Sequence, residues 1–75
     1  MKYAREEKFI KSLGKHIRKL RIANNLTQNQ LAFEAGLNLS QVSRIERGLI
    51  NTSVTHIYLI AQVLDLHPKA LLDFK

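Results

Sequence analysis

The stretch TQNQLAFEAGLNLSQVSRIERG, residues 27–48, constrains the fold of this chain more than any other segment. It reads as two helices of about two turns each, too short to be stable alone in water. Thr27 with Gln30, and Asn38 with Gln41, stand three residues apart. Each pair forms a capping box that can satisfy two orphan amides reciprocally. Each helix then closes on a glycine, Gly36 or Gly48, a residue free to adopt the left-handed backbone angles of a helix end. Gly36, Leu37 and Asn38 alone separate the two helices, so the chain must reverse sharply there. Leu31, Ala32 and Ala35 give the first helix of the pair its buried side, and Val42 and Ile45 clamp the second onto it. Ala32 is small where the two would cross. The pair is expected to meet at a steep angle, with one helix projecting from the body.

The rest of the chain supplies that body. A first helix is expected over roughly residues 5–24, with Phe9, Leu13, Ile17, Leu20 and Asn24 on one face at spacings of three and four. Lys8, Lys11, Lys15, Arg18 and Lys19 follow another such line and share a solvent face. Asn25 sits where the helix end needs a left-handed residue, which Asn tolerates better than most. Ser53 is the expected cap of a helix over 54–64 whose apolar face is Ile57, Ile60, Ala61 and Leu64. His67 followed by Pro68 reads as the cap and first residue of a short closing helix. No segment alternates with period two for long, so no sheet is expected. The fold class is all-α: one compact five-helix domain over residues 1–75, with 1–8 a charged N-terminal extension. Phe33 falls outside the inward face and is expected to pack against residues 3–9 of that extension.

Several classes of function are disfavoured. The chain has no cysteine, hence no disulfide and no thiolate metal site. His16, His56 and His67 lie on separate helices without metal-ligand spacing. No serine–histidine–acid set or carboxylate pair can be assembled, so no catalytic residue, cofactor or metal is nominated and an enzyme is not expected. Residues 57–64 are interrupted by Gln62 and far too short to span a bilayer. Half of the first twelve residues are charged and they hold no apolar core of a signal peptide, which makes the cytoplasm the default location. The net charge of +6 resides entirely in residues 1–25, while residues 26–75 are balanced. Such one-sided charge suits a polyanion, either nucleic acid or an anionic membrane, or it is a face kept charged for solubility. Insertion into lipid is disfavoured because the other face of the first helix is committed to the core.

The motif residues also carry a family resemblance. Ile17-Arg18-Lys19-Leu20-Arg21, Leu26-Thr27-Gln28, Leu31-Ala32, Ala35-Gly36-Leu37, Val42-Ser43-Arg44-Ile45-Glu46-Arg47-Gly48, Asn51 and Ser53 together resemble the Xre/Cro family of bacterial and phage helix-turn-helix regulators. The tail Ala61, Leu64-Asp65-Leu66 and Leu71-Leu72-Asp73-Phe74 is similar to the closing helices of that family. The likeness spans about residues 13–74. Two positions depart from it: Asn25 stands where glycine is common, and Thr52 where proline is common.

The resemblance implies a lambda-repressor-like DNA-binding domain whose third helix enters the major groove while the second lies across the phosphate backbone. Carried over position by position, Leu39, Ser40, Gln41 and Arg44 are the base-reading residues. Arg44 suits guanine O6 and N7, Gln41 suits adenine N6 and N7, and Ser40 suits either kind of edge. Leu39 equally suits a thymine methyl or a structural place over the turn. Gln28, Ser43, Arg47 and Asn51 are implied phosphate contacts, which fix register without reading sequence. Arg21 and Glu46 are implied to form an ion pair tying the first helix to the third. The basic first helix becomes a long-range attractor rather than the reading surface.

The expected function is a sequence-specific transcriptional regulator, a repressor that binds a near-palindromic operator in double-stranded DNA as a homodimer. A single short recognition helix reads too few base pairs to select a genomic site, and pairing two repairs this. Leu66, Leu71, Leu72 and Phe74 are the expected interface. Restriction-modification controllers, antitoxins and phage Cro-like repressors all fit the residues alike. The rival reading is an interaction module that binds a toxin or RNA polymerase, with DNA contact secondary.

Overall fold

In the computed structural model, which describes residues 6–74, the chain folds as four α-helices and one short 3-10 helix. The α-helices are α1 (Glu7–Ala23), α2 (Gln28–Ala35), α3 (Leu39–Glu46) and α4 (Val54–Val63). No strand occurs among the described residues. The fifth element expected from the sequence is present over Pro68–Leu72 but is not an α-helix. His67 Nδ1 accepts from the Lys69 amide at 3.1 Å, and the Ala70 amide donates back to the His67 carbonyl at 2.9 Å. Five residues that open on a proline lacking an N–H close more readily with such i→i+3 bonds than with a full α-turn.

Both capping boxes of the central motif form as the spacing requires. Thr27 Oγ1 accepts from the Gln30 amide at 3.0 Å, and Gln30 Oε1 accepts from the Thr27 amide at 2.8 Å. The Asn38–Gln41 pair repeats this at 2.7 and 2.9 Å. Asn25 takes φ 59°, as expected of a residue ending α1, and Asp65 takes φ 56° beyond α4. The second of these was not foreseen, although a short polar side chain suits it. Ser53 caps α4 through the His56 amide at 3.1 Å.

The buried side of α1 departs from the sequence pattern. Ile10, Leu13, Gly14, Ile17 and Arg21 face inward, whereas Phe9 is half exposed and Asn24 lies in solvent at the C-cap. The cause is Gly14, which lies against the end of α3. A Cβ there would fall 2.4 Å from the Ile45 carbonyl oxygen and 2.6 Å from that of Glu46. The glycine lets the backbones approach and thereby sets the roll of α1. Leu13, Ile17, Leu31, Ala32, Val42, Ile45, Ile57, Ile60, Ala61, Leu64 and Leu71 form one contiguous core. α2 packs against both α3 and α4, while α1 packs against α3 and the 3-10 helix. α3 is therefore held from two sides and open on the third.

Phe33 does not fold back onto the body: it is 84% exposed on α2. Residues 3–5, part of the expected contact, lie outside the described residues. Phe9 packs instead on Phe74, with ring centroids 5.1 Å apart.

Candidate nucleic-acid interface

The open side of α3 carries the residues nominated for reading bases. Val42, Ile45 and Glu46 turn inward. Leu39, Ser40 and Arg44 turn outward, with Gln41 half-buried beside them. Positions 40 and 44, and 41 and 44, are helix-face neighbours, so the four side chains form one contiguous surface. Gln41 has two tasks, because its Oε1 already closes the Asn38 capping box. The amide oxygen has a second lone pair and the NH2 is uncommitted, so capping leaves the polar edge usable.

Charge on this surface is unneutralised. The one ion pair among the described residues is Arg21 with Glu46, which leaves the guanidinium groups of Arg44 and Arg47 without a carboxylate. Arg47 is the exposed C-cap of α3, Asn51 is exposed in the loop beyond, and Ser43 is half-buried between them. At the other end, the Thr27 cap takes the Gln30 amide and the Thr27 carbonyl takes that of Leu31. The amides of Gln28 and Asn29 remain open at the start of α2.

Behind the surface lies a polar network in the core. Arg21 Nε donates to Glu46 Oε2 at 2.6 Å and Nη2 to Oε1 at 3.0 Å, a bidentate clamp between α1 and α3. Arg21 Nη1 also donates to the Leu26 carbonyl at 2.7 Å, fastening the α1–α2 turn. The Glu46 side chain is 1% exposed, and no buried side-chain polar atom among the described residues lacks a partner. Gln28 is placed differently from the simple expectation of an outward phosphate contact. Its Nε2 donates inward to Glu46 Oε1 at 3.0 Å.

Two features of the interface escaped the sequence reading. Gly14 admits the end of α3, and a glycine inside an otherwise amphipathic helix with no turn to make was the available signal. Lys11 lies against Gly48, where an added Cβ would fall 2.7 Å from both its Cα and its Cγ. Its stem therefore starts at the glycine that follows α3, one residue beyond Arg47 in the chain. The histidines serve structure: His16 Nε2 donates to the Ala70 carbonyl at 2.8 Å, and His67 is the cap of the 3-10 helix. No group of three metal-ligating side chains occurs among the described residues. No described helix is long and apolar enough to cross a membrane.

Three of the four residues expected at a dimer contact serve the core instead. Leu71 is fully buried, and Leu66 and Phe74 pack on the core, so Leu72 alone of the four is substantially exposed. Apolar surface is offered instead around a groove of about 530 Å³ lined by Phe9, Leu13, Val54, Ile57, Tyr58 and Leu72. Val54 stands 85% exposed at its edge.

The helix-turn-helix family pattern matches residues 17–71, which include α2, α3 and the braces on either side. This chain belongs to the Xre/Cro helix-turn-helix family. It is similar over 62 residues to control protein C.BamHI of Bacillus amyloliquefaciens, at 42% identity, covering 81% of this chain and 76% of that protein. Among solved structures it is similar to the restriction-modification controller C.AhdI from Aeromonas hydrophila, with a TM-score of 0.85 and 38% identity over 87% of this chain and 94% of that one. The N-terminal DNA binding domain of SinR from Bacillus subtilis matches with a TM-score of 0.78 and 34% identity, covering 84% of this chain and 93% of that domain. Family members are regulators rather than enzymes.

Proposed function

We propose that this Xre/Cro-family protein is a sequence-specific DNA-binding regulator that represses transcription as a homodimer on a near-palindromic operator. The observation that carries the reading is the outer side of α3: Leu39, Ser40, Gln41 and Arg44 on one projecting face, with Arg44 lacking any carboxylate partner. Arg44 and Gln41 supply the bidentate donors and acceptors that distinguish base pairs, and Ser40 and Leu39 complete the edge. Ser43, Arg47 and Asn51 on one side, and Gln28 with the open amides of α2 on the other, flank it as phosphate contacts. Lys11 joins them from beside Gly48, and Lys15, Arg18 and Lys19 add long-range attraction. Within the family, the likeness to two proteins named as controllers favours a restriction-modification controller over an antitoxin or phage repressor.

The homodimer uses the groove face. Val54 projects beside an apolar cavity on the same surface, and a two-fold axis there would insert each copy's Val54 into the other's groove. Asn51 and Thr52 also line this groove, so the contact abuts the phosphate-binding loop. That arrangement suits two recognition helices separated by about 34 Å, one turn of DNA.

Selection of bound sequences from random duplex DNA, followed by salt titration of the winner, tests this reading. A motif with two-fold symmetry and a steep loss of affinity with salt is expected. Uniform recovery of all sequences would refute specific recognition. Sedimentation of Val54→Asp should show a monomer where the parent protein is a dimer; a parent that is monomeric both free and on DNA removes the homodimer.

A further inference from the structure

Glu46 does more than neutralise Arg21. Its Oε2 takes Arg21 Nε, while Oε1 accepts from both Arg21 Nη2 and Gln28 Nε2 at 3.0 Å each. An ionised carboxylate only accepts, so the Gln28 amide can meet it only through its nitrogen, and that fixes which way the amide faces. One of the two N–H groups on that nitrogen is then committed inward and the other is left for an acceptor outside. Gln28 is also the first residue of α2, where the open backbone amides lie. A glutamine on an unbraced helix end would spread over several rotamers and lose that freedom on binding. This one is already held.

We infer that Glu46 is a positioning residue for DNA: through Gln28 it presents a carboxamide N–H to a phosphate at the start of α2. The inference rests on the DNA-binding reading of α2 and α3. Its electrostatics are consistent, because a bare carboxylate this close would repel a phosphate. The bidentate guanidinium of Arg21 neutralises Glu46, and burial keeps the carboxylate behind the Gln28 amide. Arg21 thus makes it possible for an acid to serve an anion-binding site. Glu46 itself touches no DNA in this arrangement.

The test compares the parent protein, Gln28→Ala and the double variant Arg21→Met/Glu46→Leu. Replacing both members of a buried pair by apolar side chains preserves a fold far better than removing one. The probes are a duplex recovered by selection from random DNA and copies of it carrying one methylphosphonate each, which removes the charge at a single phosphate. The parent should lose roughly three- to tenfold in affinity when the phosphate facing Gln28 is neutralised, the range of one hydrogen bond. Gln28→Ala and the double variant should both show a clearly smaller penalty at that phosphate, the remainder belonging to the open backbone amides of α2, and respond normally elsewhere. A folded double variant that keeps the full penalty at that phosphate overturns the inference. Should the double variant not fold, nitrogen relaxation of the Gln28 side chain in the parent protein decides. An ordered carboxamide before and after DNA addition supports positioning, and one that moves freely in either state refutes it. Failure of the selection itself, with the Gln28 carboxamide still ordered, would instead refute the DNA-binding reading beneath.

Discussion

α2 and α3 have the same length, eight residues, and the same kind of opening, a capping box closed on both sides by hydrogen bonds. Their surroundings separate them. α2 is wedged between α3 and α4 through Leu31, Ala32 and Ala35, and it contributes only its first turn to the proposed interface. α3 buries Val42, Ile45 and Glu46 and packs chiefly on α1 and α2, while Leu39, Ser40 and Arg44 on its other side stay exposed. Outer chemistry follows the same division. On α2 an unpartnered phenyl ring, Phe33, faces water; on α3 it is an unpaired guanidinium and two hydrogen-bonding side chains. Local recipe therefore makes the two helices, and packing decides which of them keeps an open side.

The comparison can be broken first at its brace. Glu46→Ala leaves Arg21 buried and uncompensated, and should cost about 3–5 kcal/mol, close to the whole stability of so small a domain. Chemical denaturation would show it, and a loss below about 1 kcal/mol would mean that α3 is not held through this pair. Gly14→Ala should cost about 1–3 kcal/mol, because the new methyl meets two backbone carbonyls that cannot rotate away. Gly36→Ala is the control: φ is 72° but no atom lies within 4 Å of the new Cβ, so a loss of only about 1 kcal/mol is expected. Gly14 sits at ordinary helical angles, so a loss there no larger than at Gly36 would show that α1 and α3 can part without needing the close approach.

Removing the caps sharpens the comparison further. Thr27→Ala and Asn38→Ala should each cost about 1 kcal/mol in thermal or urea unfolding. Asn38→Ala should also disturb base preference, since it releases Gln41 from its fixed rotamer on α3, whereas any loss of DNA affinity in Thr27→Ala should fall evenly across sequences. The smallest effect is expected from Lys15→Ala. It should weaken DNA binding evenly across sequences and lower the salt slope by about one, leaving stability unchanged.

Much of this was legible in residues 27–48, because capping boxes, glycines and apolar spacing are local signals and local physics obeys them. Arg21 and Glu46, 25 residues apart, were legible only through resemblance, since nothing local marks a buried pair. The roll of α1 was not legible. Phe9 and Asn24 fit the helical period as well as Ile10 and Gly14 do, and the choice was made by a carbonyl of another helix. Overcounting the α-helices had a similar origin: His67 and Pro68 mark a helix start, but not whether enough residues follow to complete an α-turn. The inward bond of Gln28 and the burial of Leu71 are likewise products of tertiary packing.

Base preference, measured by parallel selection from random duplex DNA with the parent protein and with Arg44→Ala, tests most directly that α3 reads sequence. Arg44→Ala should keep its fold, lose about 1–3 kcal/mol of affinity for the parent's selected duplex, and relax preference at one base position in each half-site. An Arg44→Ala protein that recovers the same motif with the same affinity would contradict the assignment of α3 as the reading helix.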